Sequence, residues 1–171
     1  MNDIIYYCIY NHCDLTTQYH LKQLDTYFYD CLHIINLYDI STKHKDKLCD
    51  EILIKLEHVK YLYASYNTKI KNIRHMVNLR KLNVCNIFDE CEITDDEIKN
   101  LNLVELDASW NSKIKNIGHM TNLQILYASN NCGITDDEIK NLNLIELDAS
   151  DNQKIKNIKH MTNLRKSYLS D

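Results

Sequence analysis

Short alternating runs of apolar and polar residues recur along most of the chain. In the run at residues 103–108, which reads LVELDA, the polar residues Glu105 and Asp107 alternate with apolar ones. Successive side chains of a strand point to opposite faces, so this run predicts a short strand with one apolar face. Apolar residues then recur at every third position, which is typical of a tight, 3₁₀-like return: Ile114, Ile117 and Met120.

The same unit occurs again almost verbatim. Residues 93–120 read ITDDEIKNLNLVELDASWNSKIKNIGHM, and residues 134–161, which begin 41 positions later (134 − 93), read ITDDEIKNLNLIELDASDNQKIKNIKHM. Strand-like segments begin at Val59, Leu79, Leu103, Leu123, Leu144 and Leu164. No unit can bury its apolar edge alone, so neighbouring units are expected to stack into a curved solenoid with a parallel sheet.

Two kinds of return segment alternate along the solenoid. Thr94–Glu97 and Thr135–Glu138 have the capping-box pattern, which predicts a short helix on the convex side. The intervening units carry Lys-Ile-Lys-Asn-Ile and are expected to return by a more extended path. The predicted fold class is therefore α/β, with a curved parallel sheet and short convex helices or 3₁₀ turns.

One unit is longer than the others at its strand exit. Three more residues (15 − 12) separate Leu79 from Thr94 than separate Leu123 from Thr135. We therefore expect residues 86–91 to bulge where the strand ends. Such a bulge is either a binding loop or a tolerated insertion, and the sequence leaves both open.

Four strands are closed by an asparagine that can satisfy backbone groups where the chain leaves the sheet: Asn67, Asn111, Asn131 and Asn152. Stacked side by side, these residues are predicted to form a structural ladder. We expect Asn111→Ala and Asn131→Ala each to cost about 1–3 kcal/mol of stability, because buried backbone groups lose their partner. Asn130, one position earlier, is expected to face solvent.

The outward strand positions are the candidate partner-binding surface. Counting the leading apolar residue of each unit as first, we expect the second, third, fifth, seventh and eighth positions to point outward, and the third, fifth and eighth supply the candidate residues of the concave face. The predicted binding residues are Tyr61, Tyr63, Tyr66, Glu105, Asp107, Trp110, Tyr127, Glu146, Asp148 and Asp151. The strand carboxylates would form an acidic patch beside Trp110 and Tyr127, suited to a basic segment of a partner protein. The alternative is that near-identical repeats copy acidic residues outward without any partner.

Lysines are predicted to lie elsewhere, beyond the strands and toward the return segments. These are Lys69, Lys71, Lys113, Lys115, Lys154 and Lys156. The two faces of the solenoid are therefore expected to carry opposite charge.

Composition excludes several classes of protein. The formal net charge of −4 argues against general nucleic-acid binding. No apolar run approaches the ~18 residues of a membrane span, so no membrane association is expected. Two glycines and no proline leave no Gly-rich phosphate-binding loop. The first residues lack the basic start of a signal peptide, which indicates an intracellular, cytoplasmic location.

Side chains that could carry chemistry repeat along the chain rather than converge. The seven cysteines form no Cys-x-x-Cys pair and are expected to be free thiols in a reducing compartment. His75, His119 and His160 share one slot but lie two repeats apart, which favours a structural or solvent-exposed role over metal binding. No zinc-ligand spacing occurs. We therefore expect no enzyme, with no catalytic residue, metal or cofactor.

The repeat resembles the leucine-rich repeat family, whose pattern is L-x-x-L-x-L-x-x-N, here with alanine in the third apolar slot. The resemblance covers residues 59–171. It implies a leucine-rich repeat solenoid over residues 33–171 that binds a protein rather than catalysing a reaction.

Residues 1–32 do not repeat and form a separate segment with helix-compatible apolar spacing. They resemble a diverged F-box, the three-helix module that precedes leucine-rich repeats in ubiquitin-ligase substrate receptors, although the usual Leu-Pro opening is missing. The resemblance implies docking to a Skp-type adaptor, which would make the chain a substrate receptor of a host cullin-RING ubiquitin ligase. The alternative is a free-standing binding or sequestering protein whose N-terminal helices only cap the solenoid.

The AT-biased composition adds a second resemblance, to the leucine-rich repeat proteins of giant DNA viruses of amoebae. Some of those proteins carry F-box-like starts. This resemblance implies the host cytoplasm as the location and the host ubiquitin pathway as the setting.

The ends of the solenoid carry distinct patterns. Residues 44–58 predict an amphipathic helix with Leu48, Ile52 and Leu56 on one face. The last strand-like segment, residues 164–169, has no cap, and an uncovered strand edge invites pairing. Either fraying at residues 160–171 or self-association through this edge is therefore expected.

Overall fold

The computed structural model describes residues 36–37, 45, 48–56 and 58–170. Within these residues the sheet contains β1 (Asn36–Leu37), β2 (Tyr61–Tyr63), β3 (Lys81–Asn83), β4 (Glu105–Asp107), β5 (Ile125–Tyr127), β6 (Glu146–Ala149) and β7 (Lys166–Leu169). The strands follow one another across the sheet in chain order, and every neighbouring pair is parallel. The predicted parallel-sheet solenoid is confirmed.

The fourth position of each unit forms the central column of the core. Leu62, Leu82, Leu106, Leu126 and Leu147 are cross-strand partners in turn, and each is fully buried. Because neighbouring strands lie about 4.8 Å apart, each leucine packs on the leucine before and the leucine after it. Burial of one such side chain contributes about 2 kcal/mol, so stacking of the units stabilises the fold.

Short helices form the return segments of alternate units: α1 (Asp50–Leu53), α2 (Asp95–Ile98) and α3 (Asp136–Ile139). The units that carry Lys-Ile-Lys-Asn-Ile return without a helix. At α2 the Glu97 carboxylate accepts hydrogen bonds from the backbone N–H and the hydroxyl of Thr94, at 3.1 and 2.7 Å. The two helices predicted from the Thr-Asp-Asp-Glu motifs are confirmed.

The matching glutamate of α3 bonds differently. Glu138 accepts hydrogen bonds from the backbone N–H groups of Ile117 and Gly118 in the preceding unit, at 3.2 and 3.4 Å. In the unit before α2, the position of Gly118 is occupied by Arg74, whose guanidinium contacts Glu97 at 2.9 Å. Because Gly118 offers no guanidinium to pair with, Glu138 bonds the backbone itself.

An aspartate at the start of each helix joins it to the next unit. Asp50 accepts hydrogen bonds from the backbone N–H groups of Lys71 and Asn72. Asp95 and Asp136 make the same pair of bonds to the next unit, at 2.7–2.9 Å. Charge-assisted bonds of this kind link the return side of the solenoid as the sheet ladder links its strand side.

The predicted amphipathic helix over residues 44–58 is wrong in extent within the described residues, where α1 spans Asp50–Leu53. Leu48 and Leu56 are buried as expected, but the fully buried helical residue is Leu53, and Ile52 is only partly buried. A single helical turn anchored at Asp50 brings a different residue inward than a long continuous helix would.

Two predictions concern the ends of the solenoid. The helical segment over residues 1–32 lies outside the described residues, as does the start of the predicted solenoid domain at residue 33. At the other end, all four residues of β7 are exposed, and in the described sheet β7 pairs with β6 on one side only. Ser167 takes the place of leucine in the central column there, opposite Leu147.

Candidate partner-binding surface

The sheet register gathers the predicted binding residues into columns. We call the surface formed by the third, fifth and eighth positions the strand face. Its third-position column runs Tyr61, Lys81, Glu105, Ile125, Glu146 and Lys166, and its fifth-position column runs Tyr63, Asn83, Asp107, Tyr127, Asp148 and Tyr168. Residues far apart in the chain therefore lie side by side on this surface.

The glutamates of the predicted acidic patch are paired within the strand face. Glu105 and Glu146 flank Ile125 in the third-position column. The Lys81 ammonium lies 2.9 Å from the Glu105 carboxylate, and the Lys166 ammonium lies 2.7 Å from that of Glu146. Lysines of neighbouring strands thus offset these two carboxylates. The prediction that the two faces carry opposite charge is therefore corrected for this part of the strand face.

The two aspartates of the patch brace the strand exits. Asp107 accepts hydrogen bonds from the Ser109 backbone N–H at 3.0 Å and from the Asn83 side-chain amide at 2.7 Å. Burial raises the pKa of the Asp107 carboxyl above its usual value. Asp148 is half-buried and accepts a bond from the Ser150 backbone N–H at 3.0 Å. Both carboxylates therefore stabilise the strand exits, in addition to any contact they make with a partner.

The tyrosines of the strand face differ in exposure. Tyr61 is exposed, whereas Tyr63 is half-buried beneath the Lys45 ammonium, which lies 3.4 Å from its ring centroid. Tyr127 is half-buried, and its hydroxyl is 3.5 Å from the Glu146 carboxylate. Burial, and then the Glu146 charge, raise the pKa of Tyr127. A partner can reach Tyr61 more readily than either of the other two rings.

The eighth-position column has an unusual backbone. Tyr66, Trp110, Asn130 and Asp151 all have positive φ angles, between 57° and 61°. Asparagine and aspartate tolerate this left-handed conformation, but bulky residues rarely adopt it. Tyr66 and Trp110 nevertheless adopt it, and these residues are 37% and 43% exposed.

The predicted bulge at residues 86–91 is present as a turn between the exit of β3 and Cys91. Asn86 is buried at its base, where its side-chain oxygen accepts a hydrogen bond from the Cys91 backbone N–H at 2.7 Å. The Lys113 ammonium reaches the Cys91 carbonyl and the Asp89 carboxylate, both at 3.1 Å. The turn is thus fastened both to its own base and to the next unit.

Three members of the predicted asparagine ladder have buried side chains that bond to backbone groups. Asn111 donates to the Val84 carbonyl at 2.8 Å, and Asn152 donates to the Ala128 carbonyl at 2.8 Å. Asn67 likewise bonds the carbonyls of Lys45 and Leu48. Each also accepts the backbone N–H of the lysine two residues later.

Asn131 is not a member of the ladder, and its predicted structural role is wrong. Its side chain is exposed, while the next residue, Cys132, is fully buried. An apolar thiol can enter the core without a hydrogen-bond partner, whereas an amide cannot. Asn130 is partly buried and bonds the neighbouring Ser129 hydroxyl, so it is less exposed than predicted.

The repeated histidines and the cysteines lie in structural settings. His75 and His160 place Nε2 at 3.1 and 3.0 Å from the last carbonyls of α1 and α3. His75 is partly buried, whereas His119 and His160 are exposed. Burial raises the pKa of both the Cys91 and the Cys132 thiols to about 11. Among the described residues, no group of three or more His, Cys, Asp or Glu side chains is placed to hold a metal ion.

None of the helices in the described part of the chain has both the length and the apolar character needed to cross a membrane. In comparisons with known proteins, no family model, no curated protein and no solved structure matches this chain. Any assignment of function therefore rests on the side chains of the solenoid itself.

Sequence reasoning missed several residues that shape this surface. Asn83 links β2, β3 and β4, because it accepts the Ser65 hydroxyl and donates to Asp107. Asn86 holds the turn, and Phe88 projects from it with 71% of its surface exposed. The extra length at residues 86–91 predicted a turn that contains Asn86 and Phe88. It could not predict which of their side chains would be buried.

Proposed function

We propose that this chain is a protein-binding module of the leucine-rich repeat type, which holds a basic segment of a partner on its strand face. The observation that carries the proposal is the column formed by Tyr66, Trp110 and Asp151, all exposed at the strand exits. Aromatic side chains that stand in solvent beside carboxylates are the usual anchors for arginine- and lysine-bearing segments.

The charge of the surface supports a basic partner. Asp151 is exposed, and among the described residues it has no basic side chain in ion-pair contact. Asp148 lies three residues earlier in the same unit and is half-buried. Lys81 and Lys166 offset the two glutamates, so the acidic character lies toward the strand exits rather than at the strand centres.

A binding assay on the full chain tests this proposal. Two pools of fluorescein-labelled peptides with the same apolar content are compared by anisotropy at about 0.15 M salt, one pool rich in Lys and Arg and the other in Asp and Glu. The basic pool is expected to bind, and Asp151→Lys is expected to weaken that binding by about tenfold. The matched control is Asp137→Lys, which changes the net charge equally at an exposed position on α3. Equal binding of both pools, or of neither, would contradict the proposal.

The substrate-receptor version of this function adds a second site at residues 1–32. Its support is the F-box-like spacing of that segment and its place before the solenoid. In this version the full chain binds a purified Skp-type adaptor, and Phe28→Asp abolishes that binding without changing peptide binding on the strand face. Failure to bind the adaptor leaves the free-standing binding protein, with a helical N-terminal cap.

The thiols support the reducing, intracellular setting that we propose for this module. Cys49, Cys85, Cys91 and Cys132 are all unpaired. The host cytoplasm and a giant-virus source belong to the same proposal and are supported by the AT-biased composition.

A further inference from the structure

The turn at residues 86–91 has an inverted distribution of side chains. Its polar residue Asn86 is buried, whereas Ile87 and Phe88 are 45% and 71% exposed. Folding alone favours the opposite arrangement, because exposed apolar side chains gain nothing from the hydrophobic effect. The exposed apolar residues of this turn therefore need an explanation outside the fold.

The turn is held in place rather than left loose. The Asp89 backbone N–H bonds the Asn86 carbonyl at 3.3 Å, and the Asn86 side chain bonds both Asp89 and Cys91. Lys113 fastens the turn to the following unit. A surface held in one conformation before binding loses less conformational entropy when a partner arrives.

Phe88 completes a row of aromatic side chains along the strand exits. Its ring packs on the Tyr66 ring of the preceding unit, with the centroids 5.7 Å apart. Trp110 occupies the same column as Tyr66 two strands further on, roughly 10 Å away, and the turn lies between them. We call Tyr66, Phe88 and Trp110 the aromatic rim.

The backbone at two of the three rim residues, Tyr66 and Trp110, is unfavourable for aromatic side chains. Trp110 and Tyr66 have φ angles of 61° and 57°, where asparagine and aspartate are the ordinary residues besides glycine. The near-identical sister unit places Asp151 at the position of Trp110, with φ 58°. A bulky ring in a conformation that its own repeat fills with aspartate points to a function, since strained residues persist at binding sites.

Carboxylates around the rim indicate the charge of the ligand. Glu90 is exposed beside Phe88, and it has no ion-pair partner among the residues that the structure describes. Burial makes the largest contribution to the raised pKa of the Tyr66 hydroxyl, and the nearby Cys85, Asp107 and Glu90 raise it further. Phosphate groups would be repelled here, whereas an arginine or lysine can stack on an aromatic face and meet a carboxylate.

We propose that the aromatic rim seats a short extended segment of a partner protein, in which an arginine or lysine stands beside an apolar residue. The proposal rests on the protein-binding function proposed above and assigns its anchor to Tyr66, Phe88 and Trp110. In this arrangement Phe88 and Ile87 cover the apolar residue of the segment, the basic side chain lies over Trp110, and Glu90 supplies the opposing charge.

The experiment uses the full chain and a dodecapeptide library displayed on phage. Enriched peptides are synthesised, and their affinity is measured by the emission of Trp110, which is the single tryptophan of the chain and so reports on the rim directly. Phe88→Ser and Tyr66→Asn are compared with Tyr61→Ser, which reports on the rest of the strand face, and with two control variants at exposed apolar residues of the return side, Ile54→Ser and Val77→Ser. Trp110→Asn is tested with labelled peptide, because it removes the fluorophore.

The expected result is a consensus of Arg or Lys next to an apolar residue, a blue shift of Trp110 emission, and a loss of affinity of about tenfold or more in each rim variant. The two control variants keep wild-type affinity. Trp110→Asn is expected to retain or raise the melting temperature, because asparagine suits the left-handed backbone. A drop in melting temperature alongside the lost binding would mean that Trp110 holds the fold, and would overturn the assignment.

The outcomes separate this proposal from the function on which it rests. One contrary result is that basic peptides lose affinity when Tyr61 or Asp151 is changed but keep it in the rim variants. That result would leave the rest of the strand face as the binding surface and would overturn the assignment of the anchor to the rim. An acidic consensus would overturn the partner class, and no enrichment at all would overturn both proposals. A Trp110-dependent dimer in sedimentation experiments would assign the rim to a second copy of the chain and overturn the separate partner.

Discussion

The side-chain amide of Asn152 donates a hydrogen bond to the backbone carbonyl of Ala128, 2.8 Å away in the preceding strand unit. The same amide lies 3.3 Å from the Ile134 carbonyl, and the side-chain oxygen accepts the Lys154 backbone N–H at 3.1 Å. One buried side chain thus satisfies backbone groups of two units where the chain leaves the sheet. Asn111 makes the equivalent bonds to Val84 and Lys113.

Removal of these amides is expected to destabilise the solenoid. Asn152→Ala and Asn111→Ala should each lower the free energy of unfolding by about 1–3 kcal/mol, because buried backbone groups lose their partner. Asn131→Ala is the control at the same repeat position, and with its side chain exposed it should change stability by less than about 0.5 kcal/mol. Urea denaturation measures all three, and an equal loss in Asn131→Ala would show that the exposed placement of Asn131 is wrong.

Gly133 is expected to be required because the space around it is too small for a Cβ atom, and not because of its φ angle. A Cβ atom at this position would lie 2.4 Å from the Ile114 carbonyl oxygen and 2.8 Å from that of Ser112. Gly133→Ala should therefore destabilise the chain by about 1–3 kcal/mol.

Gly118→Ala is the matched control for that change. Its nearest contact is the Glu138 carbonyl oxygen at 3.4 Å, an ordinary separation. Thermal unfolding of the two variants should therefore differ clearly, and similar melting temperatures would contradict the close approach of the two units at Gly133.

Asp107 should make stability depend on pH in a direction opposite to that of most aspartates. Burial raises the pKa of its carboxyl above 3.8 in the folded chain, so the folded state keeps this proton to a higher pH than the unfolded state does. The resulting stabilisation is present below the unfolded pKa and is lost as the pH rises through the folded pKa. Asp107→Asn should thus gain stability relative to wild type as the pH rises from below 3.8 through the raised pKa of the folded chain.

An asparagine at the position of Asp107 can make the same backbone hydrogen bond, as the neighbouring strand shows. Asn83 occupies the same column one strand away and accepts the Cys85 backbone N–H with its amide oxygen, as Asp107 accepts that of Ser109. Asp151→Asn controls for the loss of one negative charge at an exposed site. Parallel stability curves for wild type and Asp107→Asn across this range of pH would refute the prediction.

The buried thiols should resist alkylation in the folded protein. With a pKa of about 11, Cys132 and Cys91 have about 0.1% thiolate at pH 8, against about 10% for a thiol of pKa 9.0. Iodoacetamide should leave both unmodified under native conditions and label both in urea, as read by peptide mass spectrometry. Cys49, which is partly exposed, serves as the internal reference, and labelling of Cys132 at the rate of Cys49 would contradict its burial.

The exposed edge of β7 should cause self-association at high concentration. Tyr168 and Leu169 are 48% and 37% exposed, and an unpaired strand edge presents backbone groups to a second chain. Tyr168→Lys is expected to reduce the association seen by sedimentation velocity, because an edge charge opposes pairing. The control variant Trp110→Asn should leave this association unchanged. A wild-type chain that stays monomeric at all concentrations would contradict the prediction.

The stacking of the units could be predicted from the sequence because it follows from local spacing. A leucine every 20 to 24 residues, within a run that alternates polar and apolar positions, can be buried only against the next unit. The columns of Leu62, Leu82 and Leu106 and the short helices that follow Thr94 and Thr135 are consequences of that spacing. The repeat also marked residues 86–91 as the place where the pattern is broken.

Only the tertiary structure decided which polar side chains are buried, paired or exposed. Whether Glu105 is free depends on Lys81 of the neighbouring strand, and whether Asn131 or Cys132 enters the core depends on the path of the chain beyond β5. The placement of the turn that carries Phe88 depends in the same way on Lys113 of the next unit, which contacts the Cys91 carbonyl and the Asp89 carboxylate. Apolar periodicity is a local property of the chain, but hydrogen bonds and ion pairs join residues about one unit apart, so their partners exist only once the units have stacked.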